Sequence, residues 1–222
     1  MAFISVFEVI GPNMIGPSSS HTAGAASIAR LAWKMMKEDI KSVHFTLYGS
    51  FAGTYKGHGT DRALLGGIMG FATDDVRIRN SFDIAPDRGI DYSFSANTTE
   101  TEIHPNTVDI EITGVSGNVL TVRGVSIGGG KVELTRINGV KVRFTGEYHA
   151  LIVVHKDHPG VISKITNCFG KQKVNIAYLR VYRESKGGNA YMIIESDEAI
   201  TPVIVDEIEK IPFVRETMHI QR

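Results

Sequence analysis

The run His149-Ala150-Leu151-Ile152-Val153-Val154-His155, followed at once by Lys156-Asp157-His158-Pro159-Gly160, decides the fold of the C-terminal third of the chain. Seven residues rich in β-branched apolar side chains have the length and composition of a strand. The five that follow make a turn, with Asp157 placed to cap a helix. Helical periodicity runs from about Pro159 to Gly170, where the glycine ends it. Val174 to Tyr182 reads as a second strand, Ser185-Lys186-Gly187-Gly188-Asn189 as a hairpin turn, and Ala190 to Glu195 as a third strand. Thr201 to Lys210 is then a helix and Val214 to Ile220 a last strand. The order β-α-β-β-α-β is that of a ferredoxin-like split βαβ domain.

Upstream, the composition changes near Phe144-Thr145-Gly146-Glu147, which sets two domains, residues 1–145 and 148–222. In the first, Ser5 to Ile10 reads as a strand and Thr22 to Lys37 as a helix whose first turns are small (Ala23, Gly24, Ala25, Ala26). Val43 to Leu47 is a strand, Asp61 to Phe71 a helix, and Val76 to Phe82 a strand. Val108 to Thr113, Val119 to Val125 and Lys131 to Ile137 complete the β-rich part. Helices early and strands late predict a mixed sheet with helices on one face. The whole is an α/β (α+β) chain, an N-terminal mixed-sheet domain with helices plus the C-terminal βαββαβ domain.

Composition narrows the function. Lys and Arg (24) balance Asp and Glu (24), so the chain lacks the basic excess of a dedicated nucleic-acid binder. No apolar run reaches the roughly 18–20 residues needed to cross a bilayer. Met1 to Ile10 carries Glu8 and has neither a basic leader nor a cleavage site, so a cytoplasmic protein is expected. Cys168 is the one cysteine. It rules out an intrachain disulfide and any thiolate-rich zinc or iron–sulfur site built from this chain alone, and its helical setting reads as a small buried hydrophobe.

Three stretches carry candidate chemistry. Gly16-Pro17-Ser18-Ser19-Ser20-His21-Thr22-Ala23-Gly24 stands directly before the first helix. Hydroxyls, an imidazole and free N–H groups converge there at the positive end of the helix dipole, a setting for a carboxylate or phosphate. One serine capping the helix is the plainer alternative. In Tyr55-Lys56-Gly57-His58-Gly59-Thr60-Asp61, His58 is read as a loop residue freed by flanking glycines, with Asp61 near enough in sequence to orient its ring. His104-Pro105-Asn106-Thr107 precedes a strand and would present His104 and Asn106 on its edge. His21, His58 and His104 lack the short spacing of a preformed zinc site, so no metal is expected on this chain. His44, His149, His155 and His219 read as packing or surface residues, and Ser126-Ile127-Gly128-Gly129-Gly130 as a turn between strands.

Two resemblances follow from these residues. Asp157-His158-Pro159-Gly160-Val161 with Val174-Asn175-Ile176-Ala177 resembles an ACT domain. That likeness implies edge-to-edge self-association and a small effector at the turn, with Asp157, His158, Gly160, Asn175 and Ile176 as effector-binding candidates; a role in assembly alone is the alternative. The three N-terminal stretches together with Ser126-Ile127-Gly128-Gly129-Gly130 resemble the β chain of bacterial iron–sulfur L-serine dehydratase, over essentially the whole chain. The resemblance implies a separate, cysteine-containing α subunit that holds a [4Fe–4S] cluster, no cofactor-binding residue here, and no pyridoxal phosphate. It implies that L-serine is turned into pyruvate and ammonia, with iron acting as Lewis acid on the serine hydroxyl and an imidazole taking the Cα proton. His58 matches the general base and His21 a second active-site histidine. Ser18, Ser19, Ser20 and Thr22 would hold the substrate carboxylate, and His104 and Asn106 would line the pocket. The competing reading is a non-catalytic amino-acid sensor that regulates another enzyme.

Overall fold

The computed structural model describes residues 13–222; Ser5–Ile10 lies outside the described residues. The chain divides into two compact units, one ending at Gly139 and the other beginning at Val140.

Among the described residues of the first unit, a π-helical turn, Ser19–Gly24, comes first and runs into α1 (Ala25–Met35). There follow β1 (Ile40–Tyr48), α2 (Gly49–His58), α3 (Thr60–Ile68), a 3-10 turn Val76–Asn80, α4 (Ser81–Asp87) and β2 (Asp91–Asn97). Then come β3 (Thr107–Gly114), β4 (Val119–Gly128) and β5 (Lys131–Ile137); β6 (Val140–Phe144) belongs to the second unit, and the sheet of the first has the order β2-β1-β3-β4-β5. It is mixed, because β1 runs parallel to β2 and antiparallel to β3.

Along β1, Val43, Phe45 and Leu47 are buried while Ser42, His44 and Thr46 are half-exposed. That alternation gives the sheet one apolar face and one that meets water. Helix α1 packs on the apolar face and along α3, with Ala25, Ala26, Ala29 and Ala32 buried on it and Gly67 of α3 set against Ala26 and Ala29, where no side chain fits. His44 lies on the wet face, its ring between the hydroxyls of Ser93 (2.7 Å) and Ser95 (3.0 Å).

Val76 to Phe82, expected as a strand, is helical. The Asp75 carboxylate accepts the Arg77 N–H and starts a turn, Val76 is exposed, and Ile78 is the one residue of the 3-10 turn that enters the core. A strand would need alternate burial, which this segment does not supply. Strand β2 and helix α2 were not anticipated. Helix α2 hides behind three glycines (Gly49, Gly53, Gly57) and buries only Phe51 and Ala52, so it has no apolar stripe to read.

In the second unit, β7 (His149–Lys156), α5 (Val161–Lys171), β8 (Tyr178–Arg183), β9 (Asn189–Ser196), α6 (Pro202–Glu209) and β10 (Val214–Ile220) build an antiparallel sheet of order β10-β7-β9-β8. This is the βαββαβ arrangement read from the sequence. Its core joins Leu151, Val153, Met192 and Ile194 from the strands to Val161, Ile165, Phe169, Ile204 and Ile208 from the helices, with Cys168 among them. Two local readings change. Asp157 does not cap α5; Gly160 occupies that position, with φ +85°, and the Asp157 carboxylate accepts the Gly187 N–H (3.0 Å) and bonds Arg183 (3.2 Å). The second strand begins at Tyr178 rather than Val174, because Ile176 turns into the core and the Asn175 N–H goes to Glu198 (3.1 Å).

Phe45 is fully buried and its ring stacks on Phe94 with centroids 4.8 Å apart. Phe45→Ala lowers the stability of the first unit by about 3–5 kcal/mol. The midpoint of urea unfolding should drop when followed by the fluorescence of Trp33, the one tryptophan, which lies on α1. An unmoved midpoint would contradict this packing.

Candidate active site

Ser18 is extended (φ −137°, ψ 125°), and its hydroxyl accepts the His21 N–H at 3.1 Å, which starts the helix as an N-cap does. The turn that follows is wider than an α-helix. Its last residue is pressed against β4: a Cβ on Gly24 would stand 2.1 Å from Ser126 Oγ, so no side chain fits. The Thr22 hydroxyl bonds back to the Ser18 carbonyl, which also takes the Thr22 N–H at 2.9 Å. Thr22 is 2 % exposed and thus closes the turn from inside, while Ser19 and Ser20 stand half-buried in it.

His21 projects from this turn toward α2. Its Nε2 lies 2.9 Å from Ser50 Oγ and its Nδ1 3.4 Å from Ser18 Oγ. Two rings meet it edge to face, Phe51 at 5.2 Å and His58 at 4.9 Å between centroids, each inclined by 68°. Burial, and next the charge that His58 would carry, push the His21 pKa below the ordinary 6.5. The ring is therefore neutral at pH 7, with one N–H and one lone pair.

His58 is the last residue of α2, not a loop residue, and Gly59 ends the helix in the left-handed conformation (φ +68°). Asp61 does not orient it. One Asp61 carboxylate oxygen accepts the Arg62 N–H (2.8 Å), and burial raises the pKa of the acid. The neighbour of His58 is instead His21. Among the described residues, His58 Nδ1, Thr60 Oγ1 and Ser126 Oγ are buried without a hydrogen-bond partner. Buried polar atoms are rarely left so, and three in the residues around this pair are an open claim on further partners.

The segment His104-Pro105-Asn106 works as a seat. Pro105 O accepts the Phe51 N–H (3.2 Å), and a Cβ on Gly49 would lie 2.7 Å from Pro105 Cα, which fits a glycine with φ +50° at the head of α2. Asn106 O accepts the Ser126 N–H at 3.0 Å. Asn106 thus joins the ring of elements around the imidazoles. The exposed His104 ring turns back on its own loop, with Nδ1 accepting the Asn106 N–H (3.2 Å). Neither is on a strand edge, since β3 begins at Thr107.

Ser50 escaped the sequence reading. It lies eight residues before His58, and Thr54, whose hydroxyl bonds the Ser50 carbonyl (2.7 Å), lies between them. Had α2 been read as a helix, the spacing of 50, 54 and 58 along one side would have drawn attention to it.

In the second unit, the His158 ring stacks on Phe213 (4.4 Å) and bonds Pro159 O, and Gly160 heads α5. The Gly187 N–H and Arg183 hold the Asp157 carboxyl below the usual range. Cys168 is buried in the core, with Sγ against Lys164 O. Among the described residues no group of three or more His, Cys, Asp or Glu is placed to hold a metal ion.

The depressed His21 pKa has a measurable consequence. An NMR titration should place its midpoint below 6.5, and His58→Gln should move it part of the way back, since burial remains. Where the unfolded chain binds the proton and the folded one does not, stability falls as pH drops from 6.5 toward the folded value. A His21 midpoint at or above 6.5 would refute the buried setting.

Comparison with known proteins follows the same division. Residues 5–136 match the family model "Serine dehydratase beta chain", and residues 151–216 the "AHAS small subunit-like ACT domain". The chain is 45% identical over 212 residues to the probable L-serine dehydratase, beta chain, of Bacillus subtilis (strain 168), covering 96% of each. It is 41% identical to the L-serine dehydratase, beta chain, of Peptoniphilus asaccharolyticus, covering 90% of each. A D-3-phosphoglycerate dehydrogenase of Bacillus subtilis is 29% identical over 189 residues, which are 35% of that enzyme. With both units matched and two relatives covered nearly end to end, the chain belongs to the serine dehydratase beta chain family and carries an ACT domain behind its first unit.

Proposed function

We propose that this chain is the β subunit of a two-chain L-serine dehydratase, a lyase active only with a cysteine-containing α subunit that holds a [4Fe–4S] cluster. The observation that carries the reading is the pair of imidazoles, His21 and His58, set edge to face at the start of α1 beside serine hydroxyls. The residues of this chain do not fit a cluster of their own, because its single thiol is sealed in the second unit's core.

Dehydration of serine removes the Cα proton and the β-hydroxyl, giving 2-aminoacrylate and water. The aminoacrylate tautomerises to the imine, and one water converts that to pyruvate and ammonia. For this, the chain needs an anion site and a base. Ser18, Ser19 and Ser20, at the N-terminus that leads into α1, take the substrate carboxylate, where N–H groups and the helix dipole favour negative charge. Thr22 supports that turn from within. His58 takes the Cα proton as general base, and His21, neutral at working pH, stands beside it as the second acid–base group. Asn106 and the loop of His104 hold α2 and β4 around the pocket.

The second unit self-associates and takes a small effector, an amino acid or a monovalent cation, at the turn of Asp157, His158 and Gly160 near Asn175 and Ile176. Among the described residues no helix is long and apolar enough to cross a membrane, in keeping with work in the cytoplasm.

Co-purification with the α subunit without oxygen, with supplied iron and sulfide, should yield pyruvate from L-serine. His58→Ala should lower kcat by about 100- to 10,000-fold while the two chains still assemble. Near-normal turnover in that variant would remove His58 from the chemistry. No turnover by the wild-type pair, with serine still binding, would favour the sensor.

A further inference from the structure

The His21 ring has two possible hydrogen-bond partners, and they differ. Ser18 Oγ already accepts the His21 N–H at 3.1 Å, and its contact with Nδ1, at 3.4 Å, is at the long limit of a hydrogen bond. Ser50 Oγ meets Nε2 at 2.9 Å, the usual distance. Ser50 is also well anchored. It sits in the first turn of α2 between Gly49, pressed on the Pro105 backbone, and Phe51, whose N–H bonds Pro105 O, and its own carbonyl takes the Thr54 hydroxyl.

A serine hydroxyl donates to a bare ring nitrogen and accepts from a protonated one, so Ser50 holds Nε2 in either tautomer of the neutral imidazole. We infer that Ser50 is the positioning residue for His21: its hydroxyl, hydrogen-bonded to Nε2, holds the ring edge-on to His58. Because α2 ends in His58, one helix sets the ring of His21 from its first turn and presents the second imidazole from its last. A serine hydroxyl stands against each nitrogen of His21, whereas His58 Nδ1 is buried without a hydrogen-bond partner.

The inference rests on the proposed function only where it concerns turnover, so two readouts are needed. In the full chain labelled with 15N-histidine, NMR spectra at a pH where His21 is neutral should show NOEs between the His21 and His58 rings and one Nε2 shift. Ser50→Ala should weaken those NOEs and move the Nε2 shift, and Ser50→Thr, which keeps the hydroxyl, should restore both. With the α subunit, Ser50→Ala should lower kcat by about 10- to 100-fold, with KM little changed. A Ser50→Ala spectrum with the wild-type Nε2 shift and ring–ring NOEs intact would overturn the inference, as would a reoriented ring with undiminished kcat. If the wild-type pair makes no pyruvate, the dehydratase reading fails, and the spectra of the chain alone still decide for or against Ser50 as the group that sets the ring.

Discussion

The Ser19–Gly24 turn and strand β4 touch at Gly24 and Ser126, where a single added carbon would fall 2.1 Å from the serine oxygen. Much of the site's geometry hangs on that contact. It keeps the Ser19–Gly24 turn flat against the sheet and leaves the turn wide, a form often found at functional positions. From a wide turn, His21 leaves sideways toward α2 instead of following the helix axis. Ser126 is held in turn by Asn106, whose neighbour Pro105 seats the head of α2. One strand residue thus ties the turn to the loop that supports the opposite wall.

Much of this was legible in the sequence, for identifiable reasons. The second unit announces itself because its strands are apolar runs bounded by turn residues, and because a fully buried strand such as β7 reads as one continuous block. Strands β3, β4 and β5 were found as β-rich stretches, and in the structure they show the alternating burial of a sheet with one wet face. His21 and His58 were visible because serines, histidines and glycines in such runs are out of place in an ordinary helix start.

The rest was hidden by tertiary effects. Gly49, Gly53 and Gly57 argue locally for a loop, and only the seat provided by Pro105 and the left-handed Gly59 make α2 a helix. The neighbour of His58 was misjudged for the same reason: Asp61 is near in sequence, but it lies beyond the helix break, and His21 arrives from another element. Asp157 looked like a cap because its spacing to α5 suits one. The hairpin between β8 and β9 claims its carboxylate instead, a partner thirty residues away. Long-range competition for a polar group cannot be read from local pattern.

Helix α2 also has an energetic character unlike its neighbours. Each interior glycine costs a helix about 1 kcal/mol relative to alanine, and with Phe51 and Ala52 as its buried residues α2 recovers little by burial. Its ends hold it, not its middle. Segments of this kind exchange amide hydrogens through local opening far below the free energy of global unfolding. Local opening of the helix that carries Ser50 and His58 is thus expected at a lower free energy than unfolding of the sheet beside it. His58 and the hydroxyl that meets His21 thus share one soft helix, so opening α2 displaces one imidazole and releases the other.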